Sequence, residues 1–167
     1  MTPFLNRQWL TWFLDAPLGL TYAERKQQLD GWGFQCTCSL CSAPQRDKDI
    51  SDARRDRLLD IHMQLETLSM GKHKMEDLTD ELTYLINKEE MWPLFCEYYV
   101  VVSRAHIAFG DIAKAKKYAQ IADNTWYQYG GENHENVEGM RDLWNDIKDL
   151  ERSLANRGKE KKSKGKR

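Results

Sequence analysis

Apolar positions along most of the chain recur at steps of three and four, the period of an amphipathic helix. Thr21-Tyr-Ala-Glu24 has the form of a capping box, in which hydroxyl and carboxylate satisfy each other's end of a helix start. That short helix is predicted to run to Leu29 or Asp30 and to stop at Gly31. A second apolar set, Ile50, Leu58, Ile61, Leu65 and Leu68, predicts a long helix with Ser51 as its cap and Gly71 as its stop. Leu78, Leu82, Leu85 and Ile86 mark a third helix, and the Glu89-Glu90 pair after it reads as a solvated helix end. Pro93, suited to a first helical turn, opens a fourth carrying Leu94, Tyr98, Val101, Val102, Ala105 and Ala108. A break at Gly110-Asp111 precedes a fifth, with Ala115, Tyr118, Ala119, Ala122 and Trp126. After Gly130-Gly131 a sixth places Val137, Met140, Leu143, Trp144, Ile147, Leu150 and Leu154 on one face. Only Trp9 to Leu14 has a pattern compatible with a strand. The predicted fold is mainly α, an antiparallel helical array joined by short turns.

Within it, Tyr99 to Ala122 has the pattern of a tetratricopeptide hairpin. Small residues Ser103, Ala115 and Ala122 fall where two helices must approach closely, and Tyr99 and Tyr118 fill the space beside them. The hairpin spans about residues 94–129. No second copy recurs at the period of about 34 residues that such repeats use, so a long solenoid is excluded.

Composition supports a folded chain. Of 167 residues, 41% are hydrophobic and 31% charged, with six Trp, seven Tyr and five Phe. The start of the chain is interrupted by Pro3, Arg7, Asp15 and Pro17, unlike a secretory signal, and no run is apolar enough for a bilayer span. A nuclear or cytoplasmic, non-secreted protein without a membrane partner is expected. The net charge of −1 divides into +5 over Lys159 to Arg167 and −6 elsewhere. The tail, 158–167, is expected to be disordered. An acidic body makes nucleic acid an unsuitable partner except through that tail.

Between the first two helices, the turn from Gly31 to Pro44 holds Cys36, Cys38 and Cys41 as C-x-C-x2-C. Soft thiolates converging from a tight turn suit a zinc ion, Zn2+, whereas a disulfide would need an oxidising compartment. Structural zinc sites close with a fourth ligand. The sequence offers only Cys96, whose setting is that of a small buried hydrophobe, and His62; His73, His106 and His134 are isolated and read as surface or packing residues. No phosphate loop, nucleophile elbow or zinc-protease motif is present.

Leu10-Thr-Trp-Phe-Leu-Asp15, Leu20-Thr-Tyr-Ala-Glu-Arg-Lys-Gln-Gln-Leu29 and Gly31-Trp-Gly-Phe-Gln-Cys-Thr-Cys-Ser-Leu-Cys41 together resemble the end of a SET domain and its post-SET zinc loop. The resemblance is to the SET-and-MYND type of protein lysine methyltransferase and its fungal relatives. The helical remainder, with Gly130-Gly-Glu-Asn-His134, resembles that group's C-terminal region. It implies a residual SET end at 1–20, a capped helix and post-SET loop at 21–44, and a helical region at 45–157 able to hold a protein or peptide partner. Cys36, Cys38 and Cys41 would be zinc ligands. Phe34 would line the side of the site facing S-adenosylmethionine and the lysine channel. Phe13 falls near the family's catalytic tyrosine and lacks its hydroxyl. The glycine-rich cofactor segment and the Asn-His motif of the SET core, after which the family's fourth zinc cysteine follows, are absent. The resemblance therefore implies a C-terminal piece or degenerate member of such an enzyme, without catalysis of its own and with S-adenosylmethionine bound only by a full SET domain.

Overall fold

The computed structural model describes residues 19–132 and 136–164. Trp9–Leu14, Phe13 and His134 lie outside them. The described residues form six α-helices and no strand: α1 Tyr22–Gly31, α2 Gln45–Thr67, α3 Lys72–Lys88, α4 Phe95–Ala108, α5 Ile112–Gly130 and α6 Val137–Lys164, with a 3-10 turn at Trp92–Leu94 before α4. The mainly α reading holds. No helix among the described residues is long and apolar enough to cross a membrane.

The chain divides into two compact units, the boundary falling inside α2 and α3. The first is described from residue 19 to Met63 and takes in Asp80–Leu94. Its buried apolar side chains include Leu29, Leu58, Ile61, Leu82, Ile86 and Met91. Here α2 and α3 run antiparallel. Arg57 pairs with Glu81 at 2.7 Å, while Arg54, three residues earlier, pairs with Glu89, eight residues later, at 3.0 Å. Ile50, placed by periodicity on the apolar face, is 40% exposed, because the buried face of α2 runs through Ser51, Arg55, Leu58 and Ile61 and Ile50 lies to one side of it. Ser51 is instead a buried residue within α2.

The second unit comprises Gln64–Thr79 and the chain from Phe95 onward. Its centre is the α4–α5 hairpin, against which α6 lays Met140, Leu143 and Ile147. Ser103, Ala115 and Ala122 are fully buried, and the Ser103 hydroxyl donates to the Ala115 carbonyl at 2.8 Å. Small side chains permit that approach of backbones, and Tyr99 and Tyr118 fill the adjoining space with ring centroids 5.1 Å apart.

Helix ends depart from the sequence reading in an instructive way. Glycine ends α4 as predicted: Gly110, at φ +73°, donates to Ile107 and Asp111 donates to the His106 carbonyl, a Schellman arrangement. The same pair of bonds ends α3, but the left-handed residue there is Glu90, at φ +53°. Likewise α2 stops at Leu68, at φ +49°, and not at Gly71. At the C-terminus α6 continues to Lys164, through most of the 158–167 segment that composition marks as disordered. Lys, Arg and Glu are good helix formers, and a helix nucleated by packing at Met140–Ile147 propagates at little cost.

Candidate metal centre

Local backbone chemistry delivers the cysteines. At the start of α1 the Glu24 carboxylate accepts from the Thr21 backbone N–H at 2.8 Å and from its hydroxyl at 2.6 Å. The hydroxyl bond, then the backbone one, holds the Glu24 carboxyl below its ordinary pKa. Tyr22 then anchors α1 to α2, its N–H donating to Asp52 at 2.7 Å. At the far end the left-handed glycine is Gly33, φ +66°, two residues beyond the predicted stop. Gly33 donates to the Asp30 carbonyl and Phe34 to the Leu29 carbonyl, both at 3.0 Å, which closes α1 as a Schellman motif. The chain therefore leaves α1 on a fixed course into the cysteine loop.

Inside the loop, Ser42 donates to the Cys38 carbonyl at 2.9 Å and Ala43 to the Leu40 carbonyl at 3.1 Å, before Pro44 opens α2. These turns bring the sulfurs of Cys36, Cys38 and Cys41 to within 4.8 Å of one another. All three are half-buried free thiols. The Cys41 N–H donates to the Cys38 sulfur at 3.4 Å. Burial opposes charge on Cys38, yet that N–H, the neighbouring thiols and the Leu40 N–H outweigh it and lower the thiol's pKa. Burial, then the Cys38 and Cys36 sulfurs, push Cys41 the other way, to about 12. Cys38 therefore gives up its proton more readily than an ordinary thiol and Cys41 less readily, and a bound cation would favour the thiolate at both.

This donor set suits a soft or borderline metal ion. A tetrahedral zinc with sulfurs at about 2.3 Å needs S···S separations of about 3.8 Å, so the observed group has to contract by no more than about 1 Å to grip one. Among the described residues no further His, Cys, Asp or Glu joins the cluster. Cys96 is fully buried in the second unit, its thiol pushed up to about 12 chiefly by burial. His62 lies on α2 outside the cluster. His73 is exposed beside Asp77 at 3.1 Å, and His106 is buried.

Phe34 borders a cavity of about 270 Å³ that also touches Cys36, Cys41, Tyr22 and Leu29. It is 38% exposed, and Trp32 beside it is 67% exposed. An aromatic and two of the three sulfurs thus share one hollow.

A polar cluster that the sequence reading misses lies in the same unit. Glu89, read as solvated, is 5% exposed at its side chain. It accepts from Ser51, from Arg54 at 3.0 Å, and faces the Arg55 Nε at 3.4 Å. Arg55 also donates to the Leu20 carbonyl at 3.2 Å, which Arg25 shares. The signal was a basic α2 (Arg54, Arg55, Arg57) followed by an acidic end to α3, legible only once their antiparallel pairing is known.

No protein-family model, curated protein or solved structure matches the chain.

Proposed function

We propose that this chain is a zinc-stapled helical module of the SET-and-MYND methyltransferase type that does not transfer methyl groups by itself. The observation that carries the reading is the convergence of the Cys36, Cys38 and Cys41 sulfurs within 4.8 Å, directly behind Trp32-Gly33-Phe34. A zinc ion held there supplies cross-linking: it ties together the loop between α1 and α2. In the family that the sequence resembles, the fourth thiolate comes from the SET core. In this chain three thiolates hold the ion, and water or a group from elsewhere takes the fourth position.

Methyl transfer needs a cofactor cradle and a hydroxyl that orients the amine. The sequence has no glycine-rich cofactor segment and carries Phe13 near the tyrosine's place. S-adenosylmethionine is therefore not bound by this chain alone. The remaining role is recognition. The α4–α5 hairpin, with its small-residue seam at Ser103, Ala115 and Ala122, supports a tetratricopeptide-like scaffold for a protein or peptide partner in nucleus or cytoplasm.

Calorimetric titration of the zinc-loaded protein with S-adenosylmethionine, with a methyl-transfer assay on lysine peptides, tests this reading. No heat of binding and no transfer are expected. Stoichiometric cofactor binding would overturn it.

A further inference from the structure

His106 sits in the last turn of α4, 1% exposed, and neither ring nitrogen has a hydrogen-bond partner. Buried polar atoms without partners are rare and costly. What holds the ring is shape: it stacks on Tyr118 of α5, with centroids 5.4 Å apart and planes 5° from parallel. Tyr118 also meets Tyr99, so the seam is an aromatic run from Tyr99 through Tyr118 to His106. The imidazole closes it at the end nearest the Gly110 turn.

The surroundings tolerate only the neutral ring. An imidazolium carries two N–H donors, and this pocket offers neither an acceptor. The charged groups facing it are Asp111, which caps α5, Lys114 from α5, and Lys72 and Glu76 from α3. Both carboxylates are already engaged, Glu76 by Lys114 at 2.6 Å and Asp111 by Lys72 at 3.3 Å. Tyr118 is engaged too, with the Lys117 ammonium 5.0 Å from its ring centroid. A proton on His106 would place a second cation on one aromatic ring; Asp111 and Glu76 favour that proton, but Lys114 and Lys72 oppose it and neither carboxylate is hydrogen-bonded to the ring. Burial, the largest influence, accordingly lowers the His106 pKa from its ordinary value.

We propose that the turn end of the α4–α5 hairpin is an acid-sensitive latch, closed over neutral His106 and opened when that ring takes up a proton. The opened form binds the proton and the closed form excludes it. Below the ordinary histidine range the opening equilibrium therefore rises by up to about tenfold per pH unit. Above that range both forms are neutral at this site and the latch is pH-independent. Opening would free the seam around Tyr118 and Ser103, the surface on which the hairpin's two helices recognise each other.

Hydrogen exchange of backbone amides in α4 and α5, corrected for intrinsic rates, tests the latch between pH 7.5 and pH 5.0. The native chain is expected to lose protection there progressively as pH falls through and below about 6.5. His106→Phe keeps a stacked ring and cannot protonate, so its protection should stay flat. Equal loss in both proteins, or no loss in the native chain, would overturn the proposal. Should His106→Phe fail to fold, the ring resonances of native His106 decide. The proposal expects them to remain neutral until the hairpin amides open with them; a ring that titrates at an ordinary pKa inside a protected hairpin overturns it. Because acid also strips metal from thiolates, the exchange is repeated with excess chelator. A response that persists supports the latch, and one that vanishes overturns it.

Discussion

The Nε of Arg55 lies 3.4 Å from the Glu89 carboxylate, with the two side chains only 7% and 5% exposed. This is a buried ion pair joining α2 to the end of α3, and it is crowded with positive charge. Burial, then the neighbouring Arg25, lower the Arg55 pKa to about 10. Such pairs add little over an apolar replacement, yet breaking one strands the other charge. Glu89→Ala should therefore destabilise the protein by about 3–5 kcal/mol, read as a lowered urea midpoint. Arg54→Ala removes a more exposed partner of the same carboxylate and should cost about 1 kcal/mol or less. Equal effects would contradict this division of roles.

The hairpin seam makes a steric prediction. Ala115 is fully buried where its carbonyl accepts from Ser103, leaving no room for a larger side chain. Ala115→Leu should cost about 1–3 kcal/mol through overpacking, seen as a lower melting temperature. Ala113, exposed on the same helix, should accept leucine with a change of less than about 0.5 kcal/mol.

A third prediction has the opposite sign. Glu90 is exposed, yet it holds a left-handed conformation at φ +53° so that Met91 can close α3 onto the Ile86 carbonyl. Glycine adopts that conformation without the steric penalty of a Cβ. Glu90→Gly should stabilise the protein by about 0.5–1 kcal/mol, after the added freedom of the unfolded chain is offset. Denaturant unfolding checks it, and a loss of stability would contradict it.

How far the sequence carried can be judged from these residues. Period and small-residue spacing placed α3, α4, α5 and the Ser103–Ala115 contact, because helical burial repeats locally. The C-x-C-x2-C spacing marked the three sulfurs, because a turn of that length cannot separate them far. The Glu89 cluster stayed hidden because a long-range pairing removes the carboxylate from water, and nothing within a few residues of Glu89 announces that. The stop of α2 stayed hidden for another reason, as did the backbone conformation that closes α3 at the helix end marked by Glu89-Glu90. Leu68 and Glu90 occupy a conformation that local propensity assigns to glycine, and at Glu90 closure of the helix end overrides the preference. His106 read as a surface or packing residue; its burial and its two unpartnered nitrogens show that it packs and what that packing costs.

Metal removal supplies a fourth prediction. If an ion ties the loop between α1 and α2, chelation should raise amide exchange across Phe34–Ser42 while leaving α5 protected at neutral pH. Cys38→Ser should reproduce that pattern without chelator, since the hard hydroxyl is a poor substitute for thiolate. Exchange unchanged by either treatment would show that the loop stands without metal.

The central claim is that Cys36, Cys38 and Cys41 act together as the protein's grip on a zinc ion. Its most direct test is elemental analysis of the purified chain beside its Cys36→Ser, Cys38→Ser and Cys41→Ser variants, with cobalt substitution to register thiolate coordination. The account predicts one ion per native chain, cobalt absorption characteristic of three thiolates, and loss of the ion from each variant. A native chain that retains no ion, or variants that keep theirs, would contradict it.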